Sequence, residues 1–93
     1  MTSTKEILIK AKGLIDAPEK WHKGGAHKFN DALCMCAWAA VVNANNSALS
    51  RAMDVVHAQA KELGFSCVQR FNGHKNTTHE DIMALFDRAI AAA

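Results

Sequence analysis

The sequence lacks most of what would commit a chain to a specialised environment. No stretch is apolar for long enough to span a membrane. The longest run without a charge, Ala32 to Ser50, is broken by Asn43, Asn45 and Asn46. No basic segment followed by an apolar one opens the chain, so no standard export signal is expected and the expected compartment is the cytoplasm. Cysteine is scarce and odd in number. Cys34, Cys36 and Cys67, in a chain expected to carry no export signal, argue against a disulfide framework. An excess of one charge is missing as well: 11 basic and 9 acidic residues leave a formal net charge of +2, too small to name nucleic acid as the partner. There is no tyrosine, and the aromatic supply is Trp21, Trp38, Phe29, Phe65, Phe71 and Phe86.

What is present is ordinary globular material. Of the 93 residues 49% are hydrophobic and 22% charged, which suits one soluble domain over residues 1–93 and leaves no room for a second. Alanine is abundant, and a core of Ala, Leu, Ile, Val and Met lets helices approach closely. The expected fold class is therefore all-α: a small four-helix domain with two irregular loops.

The start and stop signals place the helices. Ser3 can cap the first, with Glu6 three residues on as the reciprocal member of a capping box. Ile7, Leu8, Ala11, Leu14 and Ile15 form its apolar stripe, while Lys5, Lys10 and Lys12 take the wet side. Pro18 stands near the first position of a short new turn. A second helix is expected from about Asn30 to Val42. It is apolar on every side, which suits a central helix or a subunit interface, hence an expected homo-oligomer. Ser47 is expected to cap a third helix, Ala48 to Leu63, with Leu49, Ala52, Met53, Val56, Ala60 and Leu63 facing inward. Gly64 suits the position just past its end, with Phe65 following for the accompanying apolar contact. Ser66 to Phe71 alternates weakly and reads as extended, possible as a strand, and Asn72-Gly73 reads as a turn. Thr78 then caps the last helix with Asp81 three residues on, and Ile82, Met83, Leu85, Phe86, Ala89 and Ile90 form its buried face.

Three blocks carry a resemblance. A helix leads into Trp21-His22-Lys23-Gly24, a Trp-x-x-Gly block. Cys34-Met35-Cys36-Ala37-Trp38-Ala39-Ala40-Val41 follows the pattern Cys-x-Cys-Ala-x-Gly-Ala-Leu. The chain closes on Phe71-Asn72-Gly73, against an aromatic-Asn-Asp turn, and on Thr78-His79-Glu80-Asp81-Ile82, against Thr-His-Glu-x-Val. Over nearly its whole length the chain resembles a family of small bacterial and phage proteins known only as a domain of unknown function. Ala39 stands where the family has Gly and Gly73 where it has Asp, and many members carry a longer insert where residues 26–31 stand. The resemblance implies a single domain in a bacterial or phage setting and brings no activity with it.

The most unusual stretch is Lys20 to Lys28, with three lysines, two histidines, Trp21 and a Gly-Gly pair, and no acid. Glycine N–H groups, lysine charge and an indole face together suit an anion with a stacking ring. The bland alternative is a basic surface loop with Trp21 folded back as a core plug. No Walker-type Gly-Lys-Ser/Thr spacing is present. A second basic loop, with Arg70, His74, Lys75, Thr77 and Thr78, precedes a helix N-terminus, where N–H donors and the dipole favour anions. Capping by Thr78 explains part of that pattern without a ligand.

The residues expected to bind are Trp21, Lys23, Gly24, Lys28, Arg70, Lys75, Thr77 and Thr78. A metal site is not expected. On a helix, residues two apart point about 200° from each other, so Cys34 and Cys36 cannot share an ion with His22, His27, His74 or His79. Nor does a cysteine within an apolar helix offer a reactive thiolate. Glu80 and Asp81 are explained by the helix start. No catalytic residue and no cofactor are expected.

Basic charge leans towards residues 1–28, with six lysines against Glu6, Asp16 and Glu19, but falls short of a helix built for a DNA groove. The expected function is non-enzymatic binding of an anionic small ligand such as a nucleotide; in a phage setting, that means sequestering a host signalling nucleotide. The alternative is a protein-interaction module that binds and inhibits a host defence or regulatory protein.

Overall fold

A computed structural model describes residues 3–22, 36–45 and 50–93. Among these residues the fold is all-α with no strand: α1 (Thr4–Leu14), α2 (Ala37–Asn45), α3 (Arg51–Glu62), a short α4 (Val68–Gly73) and α5 (His79–Ala92), with a 3-10 turn at Pro18–Lys20. α1 packs on α2 and α5, and α3 closes the other side against α5. Their shared interior holds Phe86, Leu8, Ile15, Ile82, Leu85, Val41, Val56 and Val68, all fully buried.

Local chemistry sets the helix ends. The Ser3 hydroxyl accepts from the Glu6 N–H at 3.1 Å, and the Glu6 carboxylate takes the Ser3 O–H instead of its backbone N–H, so the box is only half made. Thr78 and Asp81 make the full box: the Asp81 N–H donates to Thr78 Oγ1 and the Thr78 N–H to Asp81 Oδ2. Such a cap contributes about 1 kcal/mol. α3 ends in a Schellman motif. Phe65 N–H donates to the Ala60 carbonyl and Gly64 N–H to that of Lys61, with Gly64 at φ +97°, a conformation that favours glycine.

Five expectations need correction. The segment expected as extended or a strand, Ser66 to Phe71, enters a helix at Val68 because Val68, Phe71 and Asn72, spaced i, i+3, i+4, all turn into the core. Asn72-Gly73 is accordingly the end of α4, not a turn. α3 is capped by Ser50, whose hydroxyl accepts from Met53 N–H, and Leu63 is 41% exposed because it lies past the last turn instead of on the inner stripe. α2 runs past Val42 to Asn45, and within this last turn Asn43 Nδ2 donates to the Ala39 carbonyl four residues back. Ser47 and Leu49, and the expected start of the second helix at residues 30–35, lie outside the described residues. No helix among those described is long and apolar enough to cross a membrane.

Gly13 is exposed near the end of α1, and a Cβ built there meets nothing within 4 Å. Gly13→Ala is therefore expected to stabilise the domain by up to about 1 kcal/mol, read as a rise in Tm of roughly 4–8 °C.

His57 ties α3 to α4. Its Nδ1 accepts from the Val68 N–H at 3.0 Å, capping α4 in place of the Cys67 side chain, which makes no cap bond. Burial pushes the His57 pKa below its usual 6.5; the charge of Asp54 opposes this and that of Lys61 adds to it. The bond to Val68 works in the same direction, because it requires an unprotonated Nδ1. The unfolded chain therefore takes up this proton before the folded one. The contribution is fully present above pH 6.5 and is lost as pH falls from there towards the folded-state value. Denaturant melts should show stability decreasing below pH 6.5, and His57→Ala should flatten that slope.

Candidate functional site

α4 is short, but two different environments meet on it. Its inner face presents Asn72, 1% exposed, whose side chain makes three hydrogen bonds. Oδ1 accepts from Trp21 Nε1 at 2.6 Å and from the Ala37 N–H at 2.9 Å, and Nδ2 donates to the His22 carbonyl at 3.1 Å. Two donors at one end and an acceptor at the other settle the amide orientation. A single side chain thus holds Trp21-His22, the first turn of α2 and α4 together. His79 completes the cluster. Its ring lies 6.0 Å from that of Trp21 at a tilt of 50°, and its Nε2 donates to the Ile15 carbonyl at 2.7 Å. Ala37, Asn72 and His79 come from separate stretches of the chain, and Trp21 from a fourth, so the blocks that carried the resemblance converge here.

The outer face of α4 borders an open hollow of about 720 Å³, within the range of small-molecule sites. Gly64, Phe65 and Ser66 line it together with Gln69, Arg70 and Gly73 of α4 and with His74 and Lys75 that follow. Arg70 is exposed and makes no ion pair among the described residues. His74 Nδ1 accepts from the Asn76 N–H at 3.2 Å, which places the ring proton of neutral His74 on Nε2 as a donor. Phe65 stands edge-on to Phe71 and to His74, with centroids 5.1 and 5.2 Å apart. Gln69 Oε1 is buried with no hydrogen-bond partner among the described residues, a cost of about 1–3 kcal/mol that Gln69→Leu should recover as a higher Tm.

The expected binding residues are thereby divided. Arg70 and Lys75 share the hollow. Thr77 is buried and lines a neighbouring hollow, and Thr78 spends its hydroxyl on the α5 cap. Trp21 does lie beside the start of α5, but it is half-buried against the core, its N–H is given to Asn72, and it does not border the hollow. Lys23, Gly24 and Lys28 lie outside the described residues, as do His27 and Cys34. Among the described residues no three His, Cys, Asp or Glu side chains stand together as metal ligands would. The sequence carries no signal for Gln69 or His57 as site residues, and it marks Asn72 only as part of a turn. An Asn before a Gly reads as a turn, and nothing in the residue order shows a side chain reaching residues 35 and 51 positions away.

Fold and site together define a small all-α domain in which a buried amide clamp backs a basic, aromatic-walled hollow. The chain belongs to the family of unknown function DUF6197, whose model matches residues 1–92. No curated protein and no solved structure matches it.

Proposed function

We propose that this chain is a non-enzymatic binding protein for a small anionic molecule of nucleotide type, held in the hollow beside α4. One observation carries the reading: among the described residues, every ionisable side chain that lines the hollow is basic, namely Arg70, His74 and Lys75. The guanidinium offers a planar fork of donors to phosphate, and His74 Nε2–H and the Ser66 hydroxyl add neutral ones. Phe65 supplies an apolar wall for a ring. Absence of catalysis is part of the proposal. The Nδ1 lone pair of His74 is engaged by the backbone of Asn76, so this histidine is not poised as a base for Ser66.

Thermal-shift and calorimetric titration against mono-, di- and cyclic nucleotides tests the reading. A ligand at a hundred times its Kd should stabilise the fold by about 2.7 kcal/mol. Arg70→Ala and Lys75→Ala should each weaken binding and leave the helical circular dichroism unchanged. Affinity should fall as salt rises, because the charges are exposed. A flat response of Tm across the whole panel would reject the proposal.

A further inference from the structure

We infer, resting on that reading, that the ligand has two unlike halves, a phosphate and a flat base, and that the base lies in a second hollow across the ring of His74. This second hollow, about 420 Å³, shares Phe65 and His74 with the basic one, so the two are neighbours along a common aromatic ridge. Their chemistry differs. Leu63, Phe65, Phe71 and Leu85 make the second hollow largely apolar.

It also contains charged residues, but these are already engaged. Asp81 Oδ2 accepts from the Thr78 N–H; Arg88 Nε donates to Gln59 Oε1 at 3.1 Å, with the Glu62 carboxylate 4.0 Å from its Nη2. Asn76 also lines this hollow and carries amide donors and an acceptor. A bare anion fills only the first hollow, and a purely apolar ligand leaves Arg70 unused. An alkyl chain has no use for the Asn76 amide. A purine or pyrimidine ring, apolar on its faces and polar on its edge, matches both the aromatic wall and that amide.

Calorimetry on the full chain with AMP, GMP, ribose 5-phosphate and inorganic phosphate separates the possibilities. AMP or GMP should bind at least tenfold more tightly than ribose 5-phosphate. Ala84→Trp, on an exposed position of α5 that borders the second hollow, adds bulk without charge. It should lower nucleotide affinity at least tenfold and leave ribose 5-phosphate unaffected, whereas Arg70→Ala should lower both. Equal affinity for ribose 5-phosphate and the nucleotides, or indifference of nucleotide binding to Ala84→Trp, overturns the two-part ligand while the anion site stands. No binding of any of the four removes both.

Discussion

Asn72→Leu is expected to destabilise this domain by about 4 kcal/mol, the largest effect of any substitution considered for the clamp. Leucine nearly preserves the volume, so the loss is polar. The buried Ala37 N–H at the first turn of α2 loses its acceptor, Trp21 Nε1 loses its own, and the His22 carbonyl loses its donor. Each buried orphan costs about 1–3 kcal/mol, least for the part-buried indole. A small domain has roughly 5–15 kcal/mol of stability in all, so the variant stands near the edge of folding, with Tm lower by roughly 15–30 °C. Asn72→Asp separates hydrogen bonding from packing. It keeps Oδ1 and its two donors but sets a second oxygen against the His22 carbonyl. It should cost less than leucine and still more than about 1 kcal/mol. If both variants melt within a few degrees of the parent, Asn72 does not clamp these segments.

The two faces of α4 also explain what the sequence could and could not reveal. α1 and α5 were legible because their signals are local: a cap residue, its partner three positions on, and an apolar stripe of period 3.6. The end of α3 was legible for the same reason, since Gly64 and Phe65 sit where a Schellman motif needs them. α4 was not. Six residues are too few to show a helical period, and propensity gives way to the tertiary bonds of Asn72 and the cap from His57, both invisible in residue order. The site was half legible. Arg70 and Lys75 stand out in the sequence because basic residues near a helix start suggest an anion. What brings them to one hollow is the Schellman turn at Gly64 and the path of α4, which place Phe65, Gln69 and His74 around them. Trp21 was attractive as a stacking residue for its aromaticity and its lysine neighbours, but composition says nothing about where an indole N–H is spent.

That ambiguity makes Trp21→Ala the second decisive substitution, because a plug and a stacking residue respond oppositely. As a plug, Trp21 contributes through the half of its ring packed on the core, its tilted contact with His79, and the bond to Asn72. Full burial of a tryptophan would be worth about 3–5 kcal/mol; half burial with one hydrogen bond lost gives about 3 kcal/mol. Asn72 Oδ1 keeps the Ala37 N–H as a donor, so Trp21→Ala should cost less than Asn72→Leu. Trp21→Phe should fall between the parent and Trp21→Ala, since it retains the ring and gives up the bond. Because Trp21 borders neither hollow, all of this should appear in stability and none in affinity. Nucleotide binding, measured well below the lowered Tm, should stay within about twofold of the parent, a difference of only ~0.4 kcal/mol. The reverse pattern, an unchanged melt with affinity lost, would move the ligand from the α4 hollow to the indole and take the two-part site with it.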